Sequence, residues 1–295
     1  MFSCRSSPLV NNTILAIAAC HLRHTSPTNV SHRIAEHFQQ SLALQEFQLA
    51  LDTPREALGQ TGVDMLMLSA MLLNMIAFAL PEHENTVTIQ TGPRTSWVFS
   101  TREDRLDWLA LQVGLRPLLL SVSAYLDNTL KFLTPILFGG MASRADFQRY
   151  ATCPAPPRWI EFFSLDPAGS GCDPYNNSQG DVFRAPVSIV LYARDLEPVP
   201  ANVFKNIMFL AKVQHGFRAL LLERDPKALW LFGYWLGVMC RYDGIWWCQK
   251  RAARDYSAIC VWLQRLRLTE KPGAEGTMWT EMMKELEWAP VWTAN

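Results

Sequence analysis

An all-α fold is what this sequence predicts, and three observations carry the prediction. Two runs, VDMLMLSAMLLNMIAFAL at 63–80 and LWLFGYWLGVM at 229–239, are apolar on nearly every side at helix length, which suits buried helices. The segments around them repeat their apolar residues close to every 3.6 positions. The one alternating piece, Thr86 to Thr91, is long enough only for a loop or a small exposed hairpin. With 295 residues, 49% hydrophobic and 18% charged, the chain can bury a sizeable core as a single helical domain spanning 1–295.

Taken in order, Asn12 to His24 reads as a short helix, capped by Asn11 or Asn12, with Ile14, Leu15, Ile17, Ala18 and Leu22 as its apolar side. From Ser31 to Leu51, the positions Ile34, Phe38, Leu42, Leu44, Leu49 and Leu51 predict an amphipathic helix packed on that side. His32 and His37 stand five apart, a spacing that shares a helix face poorly and gives no metal chelate. DTPREALGQTG is rich in turn formers, and it leads into the run at 63–80, which Pro81 closes. Asp64, Ser69 and Asn74 interrupt that run, which is shorter than the roughly 20 apolar residues a membrane span needs, so no membrane is expected. Met65, Met67, Met71 and Met75 make it adaptable, because unbranched thioethers fill irregular space.

Asp104 to Leu120 places Leu106, Leu109, Val113 and Leu120 on one face beside Trp108, with Pro117 expected to kink or restart the helix. Tyr125 to Phe138 is a further apolar segment limited by Pro135. Residues 139–181 scatter Pro, Gly, Ser and Asn without a period and read as a loop insertion. Val203, Ile207, Leu210, Phe217 and Leu221 return to helical spacing. Asp225 before Pro226 is a strong helix start, since the carboxylate caps free N–H groups and proline fits the first turn. Gly233 and Gly237 within that helix suggest close approach by another helix or by a ligand. Met278 to Leu286 closes the chain before EWAPVW.

Composition excludes some function classes. Lys plus Arg and Asp plus Glu both total 27, so no net field draws in nucleic acid or an anionic membrane. The seven cysteines are never closer than eight apart, which indicates neither a CxxC metal site nor a disulfide framework. The N-terminal stretch lacks the pattern of a secretory signal, and an intracellular protein, in nucleus or cytoplasm, is expected. The sequons at Asn11, Asn29 and Asn176 then carry no meaning.

Candidate binding residues come from the two oily runs, expected to form a central buried pair: Met67, Met71, Asn74 and Phe78 from the first, Tyr234, Trp235, Trp246 and Trp247 from the aromatic-rich stretch at 226–263. Core packing is the plain alternative for each. Asp64, Asp127 and Asp243 are the carboxylates nearest these elements and weak catalytic candidates, with helix capping or a surface charge as the alternative. No DDxxD motif occurs, and no metal or cofactor is called for.

The order of ILAIAACHL and a long amphipathic helix, then DWLALQVGLRPLL, then LLERDPKALWLFGYWLGVMCRYDGIWW, then EWAP resembles the C-terminal regulatory domain of fungal binuclear zinc-cluster transcription factors, particularly the sterol-uptake-control type. That resemblance implies an all-helical domain, often dimeric, which in sterol-responsive members holds an apolar ligand. The family's six-cysteine zinc cluster and basic linker do not occur in these residues, so direct DNA recognition does not carry over.

Three functions follow as expectations. The first is a regulator-like module binding a sterol or terpenoid-like molecule. The second is a cofactor-independent cyclase or pericyclase-type enzyme of fungal specialised metabolism, built on the same fold. The third is a fragment, a truncated gene product or one half of a split regulator, that acts by heterodimerising with an intact relative. As partners, a homodimer or a heterodimer with a related regulator is expected.

Overall fold

The computed structural model describes residues 7–79, 92–137, 154–165, 182–207, 209–210 and 215–291. Among them every regular element is helical, and the fold is all-α. The piece expected as a loop or hairpin at 86–91 lies outside the described residues. The chain groups into two compact units. Unit 1 comprises Met1–Pro81, Trp108–Met141 and Trp246–Cys248; unit 2 comprises Glu82–Asp107, Ala142–Ile245 and Gln249–Asn295.

Unit 1 is built from α1 (Pro8–Thr25), α2 (Val30–Asp52), α3 (Arg55–Ala79), α4 (Ala110–Ser121) and α5 (Leu126–Leu137). Proline at the first position of α1 loses only an N–H that would have had no helical partner. Asn29 caps α2, its Oδ1 accepting from the N–H groups of Ser31 at 2.9 Å and His32 at 3.4 Å. The DTPREALGQTG stretch expected as a turn is largely helical: α3 starts at Arg55, and Gly59, at φ +61°, is the one non-helical residue inside it. Glycine is the residue that can take this left-handed angle without a Cβ clash. Pro117 sits inside α4, which runs through it.

The first two helices turn an unexpected side inward. Ile14, Leu15 and Leu22 on α1 and Ile34, Phe38, Leu44 and Leu49 on α2 are exposed, Ile34 at 63% and Phe38 at 59%. The buried sides hold Ala16, Ala19 and Cys20 on α1 and Glu36, Ala43 and Phe47 on α2. Small side chains let the two backbones approach closely, and an ion pair seals the contact: Arg23 Nη1 donates to Glu36 Oε2 at 2.6 Å, with the glutamate only 1% exposed. The amphipathic reading found the right helices and chose the wrong face, because the buried sides mix small residues with Phe47 and one charge pair.

By length and mean hydropathy (1.8) α3 could cross a bilayer, yet 72% of that apolar window is buried within the protein. It is the buried helix of unit 1.

Unit 2 contains α6 (Pro157–Phe163), α7 (Arg184–Asp195), α8 (Val203–Ile207), α9 (His215–Glu223), α10 (Pro226–Cys240), α11 (Trp246–Arg265) and α12 (Ala274–Trp288); the first three residues of α11 belong to unit 1. Asp225 caps α10 as its position predicts, its Oδ1 accepting from Ala228 N–H at 2.9 Å. Every residue from Ala228 to Met239 is buried. At about 1.5–3 kcal/mol for each large apolar side chain, α10 contributes substantially to the hydrophobic stabilisation of this unit. Its glycines serve helix packing: a Cβ on Gly233 would meet Ile259 of α11 at 2.8 Å, and one on Gly237 would meet Ala289 at 2.7 Å.

Within the stretch read as a loop insertion, α6 buries Trp159, Phe162 and Phe163. Trp159 Nε1–H donates to Glu285 Oε2 of α12 at 2.7 Å, which ties the helix down. The helix is only seven residues long and follows CPAPP, so it shows no period a sequence window could detect.

Candidate functional site

The candidate residues of unit 1 assemble along one side of α3. Gln60, Asp64, Met67, Met71, Asn74 and Phe78 follow each other at intervals of three or four, which places them in a single stripe on the helix. At its start the stripe is polar. Asp64 Oδ1 accepts from Gln60 Nε2 at 2.8 Å and from Thr129 Oγ1 of α5 at 2.7 Å, and Gln60 Nε2 also donates to Thr129 Oγ1 at 3.0 Å. The carboxylate thereby fastens α3 to α5.

The middle of the stripe is apolar and soft, with Met67 and Met71 both buried. Asn74 is buried too, and its Nδ2 donates back to Ala70 O at 2.7 Å, so its amide is turned onto its own helix. At the far end the Phe78 ring meets two indole edges: Trp108 at 5.6 Å between centroids and 75°, Trp247 at 6.0 Å and 80°. Edge-to-face contacts of this kind are worth about 0.5–1.5 kcal/mol beyond burial. Trp247 is buried, whereas Trp246 is half-buried and lies against His21 (4.9 Å) and His24 (5.6 Å) of α1.

Tyr234 and Trp235 belong to unit 2 and fill its core. Tyr234 stacks on Trp230 at 5.1 Å and takes the edge of Trp159 at 5.1 Å. Trp235 stacks on Phe209 at 4.9 Å and donates from Nε1 to Asn206 O at 3.1 Å. Burial pushes the Tyr234 hydroxyl up to about 12 against the opposing pull of Arg194, so the phenol stays protonated at neutral pH.

Of the three carboxylates, Asp64 and Asp127 fall in unit 1 and Asp243 in unit 2. Asp64 is the α3–α5 fastening, Asp127 is exposed in the first turn of α5, and Asp243 is exposed in unit 2, where it accepts from Gly244 N–H at 2.9 Å and Gln249 Nε2 at 2.7 Å. Asp64 is thus a crosslink and Asp243 part of a local turn. Among the described residues no group of three or more His, Cys, Asp or Glu is placed to hold a metal ion.

Sequence reasoning missed Gln60, Thr129 and Trp108 as members of the stripe. Only the spacing of Gln60 from Met67 was readable, because Thr129 and Trp108 reach α3 from other helices.

Residues 2–99 match the family described as the fungal specific transcription factor domain. The match covers α1, α2 and α3 and includes ILAIAACHL; the other stretches that suggested the resemblance lie beyond it. It supports the resemblance at family level and does not distinguish a sterol-type subclass. No curated protein and no solved structure matches the chain.

Proposed function

We propose that this chain, whose residues 2–99 are similar to the fungal specific transcription factor domain, is a regulator-like domain that takes an apolar small molecule, sterol or terpenoid-like, along the α3 stripe of unit 1. One observation carries the reading: Met67 and Met71 lie in line between a polar fastening at Asp64 and an aromatic end at Phe78, Trp108 and Trp247. Polarizable, unbranched side chains adapt to a guest at little cost, and a single polar end would orient a hydroxyl-bearing lipid. Such a role belongs inside the cell, in nucleus or cytoplasm. No observation favours the cyclase reading: Asp64 fastens α3 to α5, and Asp243 accepts from Gly244 and Gln249 beside it.

The test is to fill the stripe. Dehydroergosterol, a fluorescent sterol, is titrated into the whole chain while energy transfer from tryptophan is followed, for the parent and for Met71→Trp. If the stripe borders space for a guest, the larger ring occupies it, the melting temperature holds, and transfer to the sterol is lost. If the side chains already interlock, the substitution overpacks a core and costs about 1–3 kcal/mol. Together with no saturable transfer in the parent, that result would end the ligand reading.

A second reading rests on a separate observation, the exposed apolar stripes of α1 and α2. Val30, Ile34 and Phe38 repeat every four residues, as do Ile14, Ala18 and Leu22. Between Pro8 and Gln45 the charged residues are Arg23, Arg33 and Glu36, and the first and last face each other inside. A face so poor in charge meets its own copy without like-charge repulsion, as a two-fold interface requires. On this reading the regulator-like domain pairs with a second copy through α1 and α2. Sedimentation of the parent should then show a dimer that Phe38→Glu converts to monomer at unchanged melting temperature. A parent that stays monomeric up to about 100 μM, roughly 5–6 kcal/mol of association free energy, would dismiss it.

A further inference from the structure

Unit 2 holds positive charge that no described neighbour neutralises. Its parts are the segment from Phe99 to Arg105, the end of α9 and the last turn of α11. Arg224 donates from Nε to Val98 O at 2.8 Å and from Nη2 to Ser100 O at 2.6 Å. Arg105 donates from Nη2 to Leu222 O and from Nη1 to Arg102 O at 3.0 Å. Arg224 also lies 4.9 Å from the centre of the Trp262 ring, Arg265 lies 5.0 Å from that of Phe99, and the two rings are 5.5 Å apart.

Carbonyl oxygens hold a guanidinium in place without cancelling its charge. Two nearby arginines have carboxylate partners, Arg102 with Asp104 and Arg218 with Asp107. Among the described residues none pairs with Arg105, Arg224 or Arg265. Burial lowers the Arg224 pKa first, and the positive charge of Arg105 lowers it further. In a chain whose formal charges sum to zero, this is a local excess.

Donors without acceptors accompany it. Arg105 Nε, Arg218 Nε and Trp262 Nε1 are buried atoms with no hydrogen-bond partner. A buried donor left unmatched costs about 1–3 kcal/mol. Arg224 itself sits at φ +57°, at the end of α9, where glycine or asparagine is the ordinary residue. A side chain kept there against its backbone preference points to a use for the side chain. Fastening the 98–105 segment to α9 explains the carbonyl contacts, but neither the orphan donors nor Arg265, which makes no hydrogen bond.

We propose that Arg105, Arg224 and Arg265, with the Trp262 indole N–H, form an oxyanion site that takes the phosphate group of a small molecule. Every group offered is a donor, which rules out a cation as guest. Three unmatched positive charges suit a dianion better than a single carboxylate, and a phosphate monoester carries about −1.5 to −2 at neutral pH. Guanidinium forks match its oxygens in pairs.

The experiment is isothermal titration of the whole chain with inorganic phosphate and with phenyl phosphate, at ionic strength matched with sodium chloride. Binding of phenyl phosphate at least tenfold tighter than inorganic phosphate assigns the site to an organic monoester; equal binding assigns it to free phosphate. In both cases Arg265→Gln should weaken binding about tenfold with the melting temperature unchanged, because that side chain makes only a ring contact. Arg224→Gly, which the backbone angle accepts, should remove binding, and circular dichroism reports whether it folds. No heat from either anion in the parent, or affinity unchanged in Arg265→Gln, overturns the proposal.

Discussion

Replacing Gly237 by alanine puts one methyl group where unit 2 has no room for it. The new Cβ would stand 2.7 Å from Cβ of Ala289, 3.1 Å from Cε2 of Tyr256 and 3.4 Å from Cδ of Pro290. Carbon atoms pack best at about 3.5–4.0 Å, so the first contact is short by roughly 1 Å. Ala289 Cβ hangs directly on backbone, and relief requires that α10 or the Ala289–Val291 turn shift. Overpacking costs about 1–3 kcal/mol, while exchanging glycine for alanine inside a helix returns about 1 kcal/mol. A contact of 2.7 Å onto a methyl fixed to backbone takes the upper part of that overpacking range, about 2–3 kcal/mol. The expected net loss is therefore about 1–2 kcal/mol, or a fall in melting temperature of roughly 2–8 °C for a chain of this size. At Gly233 the clash, 2.8 Å, is with a methyl of the Ile259 side chain, which can give more easily, so Gly233→Ala should lose less. Urea denaturation of both variants measures the order. The double variant Gly237→Ala, Ala289→Gly removes the offending methyl and should recover most of the loss, a coupling that a double-mutant cycle quantifies. A Gly237→Ala protein as stable as the parent would show that α10 is not closely packed there.

Two further outcomes follow from buried groups. Arg23→Ala strands Glu36 as a buried charge without its partner and should cost about 3–5 kcal/mol; Arg23→Met with Glu36→Leu, which removes both charges, should restore most of it in the same urea assay. Burial raises the thiols of Cys240 and Cys260 from 9.0 to about 12 and about 11. Both should therefore resist iodoacetamide at pH 8 while the chain is folded. The folded state holds these protons more tightly than the unfolded state, so the contribution is complete below about pH 9 and is lost as pH rises toward 11 and 12. Denaturation midpoints from pH 7 to 10.5 should fall above 9, and Cys240→Ala with Cys260→Ala should flatten that fall.

What the sequence shows well is whatever one helix can announce alone. The run at 229–239 is apolar all round, and Asp225 and Pro226 mark its start, so α10 and its cap were legible in full. The stripe Met67, Met71, Asn74, Phe78 was legible for the same reason, being a single helix face. Features that need two helices were not. Thr129 reaches Asp64 from 65 residues away, and Trp108 and Trp247 both reach Phe78 from later in the chain. The helix α7 was missed although Val187, Ile189, Val190 and Leu191 are buried, because Arg184, Ser188 and Arg194 dilute its pattern.

Summed charge hides more than it reveals in this chain. Equal totals of 27 argue correctly against a general field, and they say nothing about where the charges stand. The first two helices carry few charges, and the pair they bury uses up Arg23 and Glu36. The apolar stripes are thereby left with little to solvate them, which is why their exposure asks for a partner. The opposite happens around Trp262, where arginines are held by neutral carbonyls and rings, which fix their positions and leave their charge unspent. In a chain with no net charge, one described surface lacks charge and another holds it unpaired, and neither is visible in the total.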